Sequence, residues 1–348
     1  MSHDGGPPVR IGVIGAGNFA SRRHIPDILS CKDASLEGIC RRGKEELSLI
    51  ASHFQIPPEH TYTDWKEMIM HAPLDAVLIS TPNSLHYEQA KAALEQGLHV
   101  LVEKPMTVHS KDARELTALA DEKHLLFAAA LNPPHWAHCH QIRRILHDPR
   151  VGQLESISLH WSGSVEYAFG RAPAPEIPLG VTPPTFFRSN ADMTGGGYFQ
   201  DGGTHLVSEL LWVTGRKVMR VSALMDSLPT DMRTTFSCEM ENGLLASIVA
   251  VGDSKFPSRR LRHLFTASNG SVAVNNFEFE TVIQLQGQET RRFKEADLAP
   301  VDGPVANFVG AIKGRNKLYS PASHAADVVT VVEAAYESGR TGRTVTLS

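Results

Sequence analysis

A short apolar run at residues 11–14 passes directly into Gly15-Ala16-Gly17-Asn18-Phe19-Ala20, and this junction constrains the fold more than any other segment. A strand that ends in G-x-G-x-x-A and opens a helix needs Gly15 for the tight turn. It needs Gly17 so that a pyrophosphate can approach the backbone, and the small Ala20 so that helix and strand pack closely. The helix N-terminus then faces the phosphates. At the head of a strand–helix–strand unit, such a turn predicts a dinucleotide site, with Asn18 and Phe19 lining it.

Further apolar runs at residues 36–40, 76–79, 100–102 and 125–130 alternate with segments of helical spacing. One carries Leu85, Ala90, Ala93 and Leu94 and is closed by Gly97. Another carries Ala113, Leu116, Leu119 and Ala120 and is opened by Ser110. Strand, helix, strand, repeated, predicts parallel βαβ units and a doubly wound sheet of Rossmann type over residues 1–131. After Asn132-Pro133-Pro134 the rhythm changes. A helix around 136–146 precedes longer alternating segments at 154–161, 218–224, 234–240, 244–251 and 262–267. These predict an α+β domain over 132–348 with a large, mostly antiparallel open sheet, one face covered and one free for a partner. The Pro/Gly-rich stretch 172–184 reads as a surface loop or lid. A last helix at 325–338, a candidate to pack back on the first domain, precedes a closing strand at 344–347.

The chain has 348 residues, 21% of them charged, and a net charge of −4 without a basic stripe or an acidic tail, which argues against nucleic acid as a partner. No run approaches the roughly 20 apolar residues of a membrane-spanning helix. Residues 1–8 lack a secretory signal pattern and read as a disordered lead-in. Cys31, Cys40, Cys139 and Cys238 have no paired spacing and are expected as reduced core cysteines of a cytoplasmic protein. The cluster His135-Trp136-Ala137-His138-Cys139-His140 is not expected to bind metal. Zinc needs three or four converging ligands, no acidic partner lies at useful spacing, and Cys139 should point off the histidine face.

The second strand ends at Cys40, where an NAD site would place an acid to hold the ribose 2′-hydroxyl. Arg41 and Arg42 stand there instead. Planar guanidinium forks suit a 2′-phosphate, so NADP(H) is expected ahead of NAD(H); the alternative is that one or both are solvated residues at a helix start. A later strand runs into Glu103-Lys104-Pro105 at the sheet edge where open α/β sheets bind ligands. The polar turn from Ser80 to His86 shares that edge. Thr81, Pro82, Asn83, His86, Glu103 and Lys104 are therefore cofactor-lining candidates, with a structural hydrogen-bonded role open for His86. Lys104 could move a substrate hydroxyl proton, although a strand-end lysine is more often merely solvated. Far downstream lies Gly195-Gly196-Gly197-Tyr198-Phe199-Gln200-Asp201-Gly202-Gly203-Thr204-His205. A helix opening near Asp201 would put Asp201 and His205 at i,i+4 on one face, an arrangement that prepares a general base. The glycines would let the chain pass close to a ligand.

E-K-P at 103–105, S-T-P-N-x-x-H at 80–86 and G-G-G-x-x-x-D-x-x-x-H at 195–205 together resemble the Gfo/Idh/MocA oxidoreductase family, which includes inositol dehydrogenases and glucose–fructose oxidoreductases. The resemblance extends to Asn307-Phe308-Val309 and to Glu333–Ser338. It implies an NAD(P)-dependent enzyme that interconverts an alcohol and a ketone or aldehyde on a sugar, cyclitol or related polyol. By that resemblance His205 accepts the hydroxyl proton, Asp201 orients it and Lys104 assists, while hydride passes to nicotinamide. The second-domain sheet would form a homodimer or homotetramer. Arg188 could hold substrate or form a structural salt bridge, and Trp161 could face substrate or sit in the core. Ser208 stands where the family often has Asp, and Asn132-Pro133-Pro134 where it often has Asn-x-Arg, so substrate identity does not carry over. Two other functions remain open: a glycoside-cleaving enzyme that oxidises the sugar transiently, and a non-catalytic dinucleotide-binding regulator.

Overall fold

The computed structural model describes residues 6–256 and 258–347, so the first five residues of the expected lead-in lie outside the described residues. The chain divides into two compact units. One takes the chain up to Ala130 together with Pro173–Phe187 and Asp302–Ala326; the other takes Leu131–Ala172, Arg188–Val301 and the chain from Asp327 onward. This differs from a single cut at 131/132, because the first unit takes back two later segments.

In the first unit, β1 (Val9–Ile14), β2 (Ala34–Cys40), β3 (Thr61–Tyr62), β4 (Ala76–Ile79), β5 (His99–Val102) and β6 (Phe127–Ala129) form a six-stranded sheet in the order β3-β2-β1-β4-β5-β6. All its pairings are parallel. Helices α1 (Ile25–Ser30), α2 (Lys44–His53), α3 (Trp65–His71), α4 (His86–Glu95) and α5 (Ser110–Glu122) make the crossovers. The continuous apolar runs follow from this, since β1 and β4 are covered on both faces and every residue of β4 is buried. The strand order reverses between β1 and β4, which places the ligand crevice outside their carboxyl ends. The segment from Asp302 belongs here for a simple reason. Val305, Phe308 and Val309 on α9 (Pro304–Ile312) form an i,i+3,i+4 stripe buried in one core with Ile11, Val13, Ile28 and Ile39.

In the second unit, β7 (Leu154–Ser162), β8 (Val218–Met225), β9 (Arg233–Met240), β10 (Leu245–Val251), β11 (Arg260–Ala267), β12 (Gly270–Asn275), β13 (Glu280–Leu285), β14 (Arg291–Phe293) and β15 (Val345–Thr346), named here after α6 (Ala137–Leu146), make a nine-stranded sheet. Its order is β14-β13-β12-β11-β7-β10-β9-β8-β15, and only β7–β10 pair in parallel. The sequence reading found β7 to β11 but not β12 to β14. Ile157, Leu159 and Trp161 face inward with Leu261, His263 and Phe265, whereas the other face stays open and carries Leu224, Leu245 and Leu264 at 76%, 60% and 44% exposure.

The glycine-rich segment follows α7 (Ala191–Thr194) and leads through a π-helical turn, Phe199–Gly203, into α8 (Thr204–Thr214). Tyr336 on α10 (Ala322–Thr341) holds this entry. Its hydroxyl accepts from the backbone N–H of Gly197 at 2.9 Å and Gln200 at 3.1 Å, and donates to Asp231 Oδ1 at 2.5 Å. Asp231 Oδ2 accepts from Phe199 N at 2.9 Å and Thr234 Oγ1 at 3.0 Å. Burial, reinforced by Asp231, pushes the Tyr336 phenol well above its usual value, so it keeps its proton. The glycines serve this packing. A Cβ at Gly196 would strike the Tyr336 ring, one at Gly197 the Asp231 backbone, and one at Gly202 the Tyr198 ring. The close approach visible at these three glycines is to protein atoms.

Tyr336→Phe would leave two backbone N–H groups without their acceptor and should destabilise the fold by about 2 kcal/mol. Urea denaturation followed by circular dichroism reads this; an unchanged midpoint would mean that the clamp carries no stability.

Candidate active site

Gly15 has φ +87°, and a Cβ there would strike the Ser80 carbonyl and the Thr81 methyl, so the turn lies tight against the end of β4. Gly15 N and Ala16 N both donate to Cys40 O, at 3.0 and 2.9 Å, which locks the ends of β1 and β2 together. Gly17 is different. A Cβ there would meet only the Arg41 guanidinium at 3.3 Å and Gly15 O at 3.8 Å, so this side of the turn is open to a ligand. An open backbone face leading through a π-helical turn, Ala20–His24, into α1 fits a dinucleotide pyrophosphate. Arg41 lies across the turn, with Nη1 3.4 Å from Ala16 O, while Arg42 is exposed.

Asn18 donates from Nδ2 to Thr182 O at 2.6 Å, and Thr182 N donates to Ser21 Oγ at 3.3 Å. The proline-rich loop is thus pinned onto the start of this helix. Phe19 is 44% exposed and meets the His24 ring edge-on at 5.2 Å.

Glu103, expected beside the cofactor, has both carboxylate oxygens engaged within the protein. Oε1 lies 2.7 Å from His24 Nε2, and Oε2 accepts from Lys104 N at 3.1 Å. Burial pushes this carboxyl up, but His24 and Lys104 together hold it below the usual carboxylate range. It therefore stays charged and fixes the backbone that carries Lys104. Lys104 itself is half-buried at the carboxyl end of β5. His86 is fully buried, its ring nitrogens each 2.9 Å from Pro105 O and Thr81 O. Burial lowers its pKa, against the pull of those carbonyls, and the ring ties the 80–86 turn to the Lys104 turn. That is the structural role left open for it. Thr81 Oγ1 donates to Gln89 at 2.7 Å, and Asn83 is buried.

In the second unit, Asp201 lies in the π-helical turn and His205 in the first turn of α8. Arg188 Nε donates to Asp201 Oδ1 at 3.0 Å, giving the salt bridge that stood as one of its two readings. The His205 imidazole is 8% exposed and stacks on Trp161, with centroids 5.8 Å apart at 26°; Trp136 lies 6.5 Å away. Phe277 meets Trp161 at 5.2 Å, and Phe279 meets Trp136 at 5.3 Å.

Deeper in this unit, α8 brings Glu209 to His138 and Cys139, with their ligand-type atoms within 4.8 Å of one another. The acidic partner that the sequence spacing lacked is therefore present, and Cys139 Sγ does turn towards His138 Nε2, at 3.4 Å. These groups already satisfy each other. His138 Nδ1 pairs with Glu295 at 3.1 Å and Glu209 with His263 Nδ1 at 2.7 Å, and burial keeps the Cys139 thiol protonated.

Sequence reasoning missed His24, Asp231, Tyr336, Trp136, Phe277 and Phe279 as parts of these sites. The aromatic alternation in Phe277-Glu278-Phe279 was a usable signal; the others are joined only by tertiary contacts.

Comparison with known proteins places both halves in one family. Residues 9–131 match the family model described as "Oxidoreductase family, NAD-binding Rossmann fold", and residues 139–273 match the "GFO/IDH/MocA C-terminal domain". Among relatives, dTDP-3,4-didehydro-2,6-dideoxy-alpha-D-glucose 3-reductase of Streptomyces antibioticus is 28% identical over 221 residues, 63% of this chain and 61% of that protein, short of two thirds of its length. D-glucoside 3-dehydrogenase of Escherichia coli is 21% identical across 98% of both chains. The crystal structure of an oxidoreductase domain protein from Kribbella flavida superimposes with a TM-score of 0.86 at 20% identity, over 99% of this chain and 100% of that one. Among the described residues no helix is long and apolar enough to cross a membrane. With family models matching both its dinucleotide-type sheet and its second sheet, the chain belongs to the GFO/IDH/MocA oxidoreductase family.

Proposed function

We propose that this chain interconverts an alcohol and a ketone or aldehyde on a sugar, cyclitol or related polyol, with a nicotinamide dinucleotide as redox partner. The observation that carries the reading is the π-helical turn carrying Asp201 into His205, clamped by Tyr336, in a chain whose other sheet bears an open glycine turn. When bound, the dinucleotide supplies hydride exchange. The protein's part is positioning and proton transfer. His205 takes the substrate hydroxyl proton as the carbon–hydrogen bond breaks, and the Asp201 carboxylate stabilises the protonated imidazole. Lys104 stabilises the developing alkoxide, its backbone fixed by Glu103. In the reductive direction the same groups return the proton.

NADP(H) is the preferred form, because the Arg41 guanidinium lies across the glycine turn at the end of β2, where an NAD site carries an acid. Substrate oxidation takes place in the cytoplasm, in a homodimer or homotetramer built on the open face of the nine-stranded sheet. All four cysteines are unpaired, which suits a reducing compartment.

Absorbance of the reduced nicotinamide, followed across a sugar and polyol panel with NADP+ and NAD+, tests the reaction. A flat response with cofactor released on denaturation would replace it with transient oxidation in glycoside cleavage. Lys104→Ala and His205→Ala should each lower kcat roughly 10²–10⁴-fold, with dinucleotide affinity changed by no more than a few-fold. Wild-type turnover in either variant removes that residue from the mechanism. Arg41→Ala should weaken NADP+ binding by roughly 10- to 100-fold and leave NAD+ nearly untouched; titration calorimetry with both dinucleotides reads the split, and equal losses would overturn the assignment.

A further inference from the structure

The rings around His205 are arranged for more than one sugar ring. Trp161 comes from β7, Trp136 from the residue before α6, and Phe277 and Phe279 from the loop between β12 and β13. Trp161 is 7% exposed, whereas Trp136, Phe277 and Phe279 are only half-buried. The ring centroids form a closed circuit, Phe277–Trp161 5.2 Å, Trp161–His205 5.8 Å, His205–Trp136 6.5 Å, Trp136–Phe279 5.3 Å and Phe279–Phe277 5.7 Å, with Trp136 also 6.3 Å from Trp161. This is a compact aromatic wall with the imidazole set into it, and its Phe279 ring also stacks on the buried His138 at 4.0 Å.

The loop that supplies two of these rings is held in an unfavourable conformation. Asn276 and Phe279 have φ of +54° and +50°, the left-handed region that asparagine tolerates but a bulky side chain such as Phe279 avoids. Such strain persists only where the surroundings overdetermine it, and it concentrates at ligand clamps. Here it aims Phe277 and Phe279 at Trp161 and Trp136. Arg259 braces the outer ring, 5.9 Å over Phe277.

Carbon surface of this kind discriminates between ligands. A hydroxyl laid against it loses water without gaining a partner, whereas a C–H face or an aryl group is stabilised by leaving water. One pyranose covers about one ring of the wall by its apolar face; the rest calls for further apolar surface. We propose that this wall is a stacking platform for a glycoside carrying an apolar aglycone, and that such glycosides, rather than free polyols, are the substrate class. The proposal rests on the reading of His205 as the proton acceptor only for turnover, not for binding.

Titration calorimetry on the full-length protein saturated with NADP+, using phenyl β-D-glucopyranoside, D-glucose and myo-inositol as probes, tests it. The phenyl glucoside should bind at least roughly tenfold more tightly than either free polyol. In Phe277→Ala/Phe279→Ala that ratio should fall to about twofold or less. Phe277→Leu, which keeps apolar volume but not the ring, should give an intermediate ratio and serves if the double variant fails to fold. Equal affinities in the wild-type protein, or no binding of any probe, overturn the platform. A ratio that survives loss of the rings also overturns it. Ring-dependent binding without turnover would uphold the platform and sink the catalytic reading instead.

Discussion

The hydroxyl of Tyr336 stands at the centre of the second unit's site, because three parts of the chain meet on it. It accepts from Gly197 and Gln200 and donates to Asp231, whose other oxygen holds Phe199. The entry to α8 thus has early backbone N–H groups satisfied by side chains from a remote helix, α10, and from the loop between β8 and β9. With those donors fixed, the π-helical turn is held, and Asp201 and His205 take their places from it. Asp201 lies inside that turn and His205 follows it in the first turn of α8. Arg188 then sets the charge beside Asp201.

The two glycine segments answer opposite demands, and this separates what was legible in the sequence from what was not. At Gly17 the missing Cβ leaves space that a pyrophosphate can use, while at Gly196, Gly197 and Gly202 it removes atoms that would collide with Tyr336, Asp231 and Tyr198. Sequence alone reports permissive backbone in both places and cannot say what approaches it. Five strands of the parallel sheet were legible from short apolar runs, whereas β3, only Thr61 and Tyr62 and half-buried, was not. Strands β12 to β14 were not, since β14 is short and mostly exposed and the strained Asn276–Phe279 loop breaks the alternation. The return of α9 to the first core was hidden for another reason: Val305, Phe308 and Val309 announce a buried helix face but not which core receives it.

The same limit applied to the polar groups. Lys104 and the Asp201–His205 pair were visible through short motifs. His24, by contrast, is one histidine in a helical segment, and nothing local marks it as the partner of Glu103 across 79 residues. Glu209 likewise carries no signal that it will reach His263 and Cys139. Buried charged groups survive only when paired, so their partners are dictated by the finished fold.

That pairing also fixes where His205 can sit. On the covered face of the sheet, Trp161 is opposite Leu261, and His263 lies two residues further along β11. Two residues of strand span about 6.6 Å, and four residues of helix rise about 6 Å. The steps match, so α8 can stack His205 on Trp161 while Glu209 meets His263. Sliding α8 by one turn would break both contacts and strand the buried Glu209 carboxylate, which is 1% exposed, without its partner. The Glu209–His263 pair therefore sets the register of the helix, and the register delivers the imidazole to the aromatic wall.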